Sequence, residues 1–274
     1  MYLVKTENLV FEYPDGTRAL DSISLEIREG EFVGVLGNNG SGKTTLAKCL
    51  AGLLKPTSGL VLIKGKDVKR YRRGELIRII GYISQDINTQ LLNVSVLEEI
   101  LFTPRILNVG EDLIKDRFDE VLSQLEIGRE ILEKPVLSLP RHVKLRVLLA
   151  SYLLAGTKNF IVDEPTTGQD WYHSIKFVEF LRRLRENGGT VILITHDVEI
   201  LSKYSERVIL MNSGRVVADG ETREILCDLE LLRMNSLLPT YTAQLAKEIS
   251  IENCVLLPEE LIRILGFKSL HPSY

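Results

Sequence analysis

The residues best suited to chemistry begin with "GNNGSGKTT", Gly37 to Thr45. The spacing fits G-x-x-x-x-G-K-[ST], with glycines at 37 and 42. Such a loop turns its backbone N–H groups inward around phosphates, and glycine takes the required dihedrals at little cost. On this reading Gly37, Asn38, Asn39, Gly40, Ser41 and Gly42 form the cradle, and Lys43 reaches the β- and γ-phosphates. Thr44 would place its hydroxyl on Mg²⁺, with Thr45 beside it. The phosphates would sit at the positive end of the helix that follows. An apolar strand before the loop and the helical "LAKCLAGLL" after it make the motif specific.

A second group completes a nucleotide site. In "NFIVDEP" an apolar strand ends in Asp163, placed to hold Mg²⁺ through water, and Glu164 follows, placed to polarise an attacking water. Gln85, in "GYISQD", could touch both the metal and that water. His196, in "ITHD", could hydrogen-bond the γ-phosphate. Tyr13, in "FEYPDG", could stack on an adenine ring. The expected cofactors are ATP and Mg²⁺.

These residues need elements to position them. "SISLEI" (Ser22 to Ile27) alternates as a half-buried strand does. "FVGVLG", "FIV" and "VILIT" are apolar throughout, like parallel strands covered on both faces. Helical patterns lie between them, so an α/β architecture is expected. "RVILMNSGRVVADG" has the form of a hairpin turning at Asn212, Ser213 and Gly214. From about Asp86 to Thr157 the apolar period is helical with no strand, which predicts a helical insertion. After Gly220 comes a tail, 221–274, of helical pieces separated by Pro239 and Pro258. It carries no phosphate or metal motif and is expected to serve assembly, most simply dimerisation.

Bulk composition narrows the class. The 274 residues are 45% hydrophobic and 26% charged, ordinary for a soluble protein. A net charge of −3 gives no reason to expect nucleic acid as a partner. The three cysteines, Cys49, Cys227 and Cys254, form no CxxC pair and are expected to be reduced thiols in a cytosolic protein. No stretch approaches the roughly 18 apolar residues that span a bilayer, so any action at a membrane needs a spanning partner.

The motifs in order, Tyr13, "GNNGSGKTT", Gln85, "DEPTTGQD" and His196, resemble the ATP-binding-cassette (ABC) ATPases over nearly the whole chain. "YPDGTRAL", "SQDINTQLL" with Gln90, "DGETREIL" and "LLPTYTAQLAKEI" resemble more closely the ATPase subunits of energy-coupling-factor importers. The resemblance implies a P-loop NTPase fold of the ABC type: a mixed sheet core, an antiparallel β subdomain, a helical subdomain and a C-terminal helical extension. It implies ATP hydrolysis coupled to transport, by a dimer of ATPases on the cytoplasmic face of the membrane. The implied partners are a membrane-embedded coupling protein and a separate membrane protein that captures a vitamin or metal ion. Substrate choice then belongs to another polypeptide.

One stretch departs from the family. Where it places "LSGGQ", this chain has "LSLPRHVKLRVLLAS". Counting back from Asp163 without gaps aligns Leu139 to Val143 with the signature; a two-residue insertion aligns Leu137 to Arg141 instead. The first keeps Arg146 and Val147 on the family's "RVA". Both signature glycines are missing either way. In the family this helix grips the γ-phosphate bound to the other subunit. Pro140 has no N–H, and Arg141 and His142 carry side chains where backbone must approach closely. Two lost hydrogen bonds to a charged group, roughly 1.5–3 kcal/mol each, amount to about two to four decades in rate. Arg141 could instead offer a cation to the phosphate. The economical expectation is a heterodimer with a second ATPase whose signature is intact. A cassette that binds ATP and dimerises without hydrolysis is the alternative. A repair or translation cassette would carry long insertions that this sequence lacks.

Overall fold

The computed structural model describes residues 1–251 and 253–266. Residues 267–274 of the expected C-terminal extension lie outside the described residues. In chain order the strands are β1 (Tyr2–Glu12), β2 (Arg18–Arg28), β3 (Phe32–Leu36), β4 (Ser58–Ile63), β5 (Lys66–Asp67), β6 (Ile80–Ile83), β7 (Asn159–Asp163), β8 (Val191–Thr195), β9 (Arg207–Asn212) and β10 (Arg215–Glu221). The helices are α1 (Lys43–Leu50), α2 (Arg73–Ile79), α3 (Val96–Ile106), α4 (Glu111–Gln124), α5 (Arg141–Leu154), α6 (Trp171–Glu186) and α7 (Val198–Tyr204). The tail adds α8 (Thr222–Cys227), α9 (Leu229–Met234), α10 (Tyr241–Glu248) and α11 (Pro258–Ile264).

Two sheets carry the fold. The smaller is antiparallel, in the order β2-β1-β4-β5. The larger runs β10-β9-β3-β8-β7-β6, with every neighbouring pair parallel except β9 and β10. β3 and β8 lie near its middle and are buried along their whole length, as their unbroken apolar runs require. Alternate side chains still enter different cores. Phe32 and Leu36 pack with Leu145 and Leu149 of α5 and with Phe177 and Leu181 of α6. Val33 and Val35 pack with Leu46 and Leu50 of α1 and with Leu9, Ile23 and Ile27 of the small sheet. The large sheet is thus covered on both faces.

Between β6 and β7 the chain forms helices only. α3 opens with a capping box, in which the Ser95 hydroxyl accepts from Glu98 N–H and Glu98 reaches back to Ser95 N–H. α3 and α5 are tied where the Ser151 hydroxyl, wholly buried, donates to Thr103 Oγ1. The strands β1, β4 and β5 are not separately legible in the sequence: β1 interrupts its apolar residues with Lys5, Glu7 and Asn8, β4 is a short apolar run opened by Ser58 and Gly59, and β5 is only two charged residues.

The tail packs back on the large sheet. Leu226, Leu232 and Leu237 belong to its core, while Leu245 of α10 and Ile249 just after it remain exposed. This folding corrects the cysteine expectation. Cys227, ending α8, and Cys254 are joined in a disulfide, with Cα atoms 5.7 Å apart. Sequence spacing hid the pair, because the chain returns over 27 positions to bring the two together. Cys49 alone is free, and burial pushes its thiol up to about 12.

Candidate functional site

Every group expected to handle phosphate follows the carboxyl end of a strand in the large sheet. The phosphate loop follows β3, Gln85 follows β6, Asp163 and Glu164 end β7, and His196 follows β8. In open α/β sheets ligands bind in the crevice at those ends. Here a cleft of about 620 Å³ opens there, lined by Tyr13, the loop from Asn39 to Thr45, Gln85 and Glu164.

The loop is shaped by glycine. Gly42 caps α1 with φ +98°, and a Cβ there would stand 2.6 Å from the carbonyl of Ala19. A Cβ on Gly37 would meet the carbonyl of Met211 at 2.4 Å. The β9–β10 turn supports the loop from behind: Gly214 N–H donates to Ser41 O at 3.0 Å. Lys43 reaches across the loop and donates to the carbonyls of Gly37 at 2.6 Å and Asn38 at 2.9 Å. Burial lowers its pKa below the ordinary lysine range, opposed by the charges of Glu164 and Asp163. Ser41 Oγ is buried and has no partner among the described residues.

Asp163 is fully buried. Tyr82 donates its hydroxyl to one carboxylate oxygen at 3.3 Å, and the other oxygen has no partner among the described residues. Burial is the main cause of a raised Asp163 pKa, which the nearby Thr44 hydroxyl opposes. A buried, half-satisfied carboxylate beside a threonine hydroxyl and an amide loop is a hard-oxygen donor set that fits Mg²⁺. Among the described residues no cluster of three or more His, Cys, Asp or Glu forms a metal cage. Mg²⁺ at this site would therefore complete its coordination with phosphate and water.

Glu164 is 5% exposed and has φ +46°, a strained backbone for a residue with a side chain. Its carboxylate faces His196 Nδ1 at 2.9 Å, and Thr167 adds a hydroxyl at 3.4 Å. Gln85 lies two residues beyond the end of β6, in a loop braced by Gln90. Gln90 accepts from Ser84 N–H at 2.7 Å and donates to Tyr82 O at 3.0 Å. Tyr13 is half-buried at the cleft wall, edge-on to Phe11, with its hydroxyl 3.0 Å from Thr45 Oγ1. Sequence reading missed Thr17, Arg18, Ala19, Ser213 and Gly214, which complete the cleft wall. Arg18 and Ala19 open β2, and Ser213 and Gly214 form the β9–β10 turn, so it is the fold that brings these segments together at the cleft.

Pro140 is the N-cap of α5 and offers no side-chain cap. The side chains of Arg141 and His142 turn toward their own chain. Arg141 Nη2 donates to Gln85 O at 2.8 Å, and the His142 ring stacks on His173, centroids 3.7 Å apart.

A family model described as ABC transporter matches residues 20–167. The chain belongs to the ABC transporter family. It is 37% identical over 254 residues to the energy-coupling factor transporter ATP-binding protein EcfA of Methanothermobacter thermautotrophicus, covering 90% of this chain and 80% of that protein. Its fold matches that of cbiO1 from Clostridium perfringens, part of the ABC transporter complex cbiONQ, with TM-score 0.74 and 35% identity, over 85% of this chain and 94% of that one. It therefore has the ABC ATPase fold. It is also 40% identical over 246 residues to a putative ABC transporter ATP-binding protein of Methanosarcina acetivorans, covering 90% of this chain but 40% of that protein. The chain thus spans about two fifths of the length of such relatives. Among the described residues no helix of this ABC protein is long and apolar enough to cross a membrane.

Proposed function

We propose that this chain is the ATP-binding and ATP-hydrolysing subunit of an energy-coupling-factor type importer. The observation that carries it is the convergence of the phosphate loop, Gln85, Asp163, Glu164 and His196 at neighbouring strand ends. The similarity to EcfA and to cbiO1 supports the importer class. In this reading residues 1–220 form the ATPase domain, with a helical subdomain at about 86–157, and 221–274 form an extension that assists dimerisation.

The chemistry follows from the chain's own groups. The loop N–H groups and Lys43 hold the β- and γ-phosphates, with the adenine against Tyr13. Glu164, aimed by His196, accepts a hydrogen bond from the attacking water and orients it in line with the γ-phosphate. His196 would also reach the γ-phosphate, and Gln85 would contact the water and the metal. Mg²⁺ bound by Thr44, Asp163 and Gln85 would neutralise charge on the phosphate oxygens.

The degenerate signature favours an asymmetric heterodimer, in which a second ATPase supplies an intact signature across this chain's nucleotide. A coupling protein and a substrate-capturing protein, both in the membrane, complete the assembly, with the ATPases at its cytoplasmic face. The same signature supports a second reading, a cassette that binds ATP and dimerises without turning it over. Binding of a fluorescent ATP analogue, compared between wild type and Lys43→Ala, tests the site itself. Equal affinities refute it. Phosphate release by the assembled complex then separates the two readings.

A further inference from the structure

We propose that Arg141 works within its own chain, as a positioning residue that joins the first turn of α5 to the Gln85 loop and to Glu164. It deepens the ATPase reading above and assigns a role to a side chain that stands at a degenerate signature.

Arg141 Nη2 lies 2.8 Å from the carbonyl of Gln85 and 3.4 Å from that of Glu164. These carbonyls lie just beyond β6 and β7, neighbouring strands in the large sheet. One guanidinium therefore spans the gap between the Gln85 loop and the Glu164 backbone. Three residues on, Lys144 Nζ donates to Asn88 Oδ1 at 3.0 Å, gripping the same loop again. Between them His142 lies flat on His173, whose Nδ1 meets Asp170 Oδ2 at 2.7 Å. Arg141 Nη2, the His142 ring and Lys144 Nζ are thus engaged on their own chain, while the buried Arg141 Nε has no partner among the described residues.

Energetics favour that arrangement. Withdrawing Arg141 toward a phosphate elsewhere would strip a charged donor from two carbonyls, one of them on the 5%-exposed Glu164. The Glu164 backbone is held at φ +46°, and strain of this kind persists only where its surroundings enforce it. A cation on the Glu164 carbonyl is part of that enforcement. Glycine at 141 could not supply it. Arg141 thus fixes the spacing between the groups that would hold metal and orient water, and its effect falls on the Glu164 site.

The test uses the assembled complex with the partner ATPase's catalytic glutamate replaced by glutamine, so that only the Glu164 site turns over. Arg141→Ala should lower kcat there about tenfold to a hundredfold, with KM and ATP-analogue affinity within about twofold. Arg141→Lys, which keeps one cationic donor, should recover part of the loss. Unchanged kcat in Arg141→Ala overturns the proposal, because a residue serving only the opposite site would behave so. Hydrogen exchange on the isolated chain gives a readout independent of activity. In Arg141→Ala the segment 84–90 should exchange about tenfold faster while the phosphate loop is unaltered. An unchanged rate at 84–90 also overturns it. Failure of the wild-type chain to bind the analogue would sink the ATPase reading instead, leaving the exchange result to judge the tie.

Discussion

The side-chain amide of Asn38, in the phosphate loop, donates to the backbone carbonyl of Asn235, 2.8 Å away and 197 positions along the chain. Asn235 is itself held: its Oδ1 accepts from Asn212 and its Nδ2 donates to Leu231 O, both at 2.8 Å. The C-terminal extension therefore touches the phosphate loop. A neutral hydrogen bond contributes about 1 kcal/mol. Asn38→Ala should weaken ATP-analogue affinity about fivefold. Asn235→Ala loosens the same carbonyl, so the two changes together should cost less than their sum. Strict additivity in a double-mutant cycle would break the link between tail and loop.

Local pattern accounts for what was legible before the structure. The run "VILIT" is β8 residue for residue, and the hairpin turn falls at Ser213 and Gly214, between β9 and β10. The phosphate loop was readable because its chemistry is contiguous. Contacts between remote turns were not. Nothing in "LPRHV" tells that Arg141 points at Gln85, 56 positions earlier. Nor does spacing tell that Cys227 meets Cys254, since that pairing depends on the path taken by the tail.

That pairing yields a direct measurement. Alkylation of the denatured chain should label one thiol, Cys49, without reductant and three with it. Closing a loop over 27 positions is worth roughly 3–4 kcal/mol in chain entropy. Cys227→Ser with Cys254→Ser should therefore lower the midpoint of thermal unfolding by several degrees. Three labelled thiols without reductant would show that the bond does not form.

The His142–His173 stack should make stability depend on pH. Burial is the first cause that holds His142 below its ordinary value of 6.5, and the neighbouring His173 and Arg146 add to it, while Asp170 opposes. The other group against the stack is Tyr172, edge-on to His173, with Lys176 over its ring. As pH falls the unfolded chain takes up the proton first. The stabilising contribution is thus full above about pH 6.5 and is lost as pH drops through the lower folded value. His142→Gln should flatten the change in melting temperature between about pH 7.5 and pH 5. An unaltered slope in that variant would assign the pH dependence to other groups.

The catalytic glutamates of the proposed heterodimer should be unequal. One composite site pairs Lys43, Asp163, Glu164 and His196 of this chain with the partner's intact signature. The other pairs the partner's phosphate loop with Leu139 to Val143 of this chain, where Pro140 lacks an N–H and Arg141 is engaged with Gln85 and Glu164. Glu164→Gln keeps the shape of the side chain but removes the carboxylate that faces His196 and would orient water. Phosphoryl transfer relies on such positioning and electrostatics, so turnover of the complex should fall roughly a hundredfold or more. The same change in the partner should leave most of the activity. Both variants should still bind the ATP analogue, because neither phosphate loop is altered. Steady-state turnover of the two single variants in the reconstituted complex decides the matter. If the partner's change is the more damaging, the degenerate turn at the head of α5 supports catalysis across the interface after all.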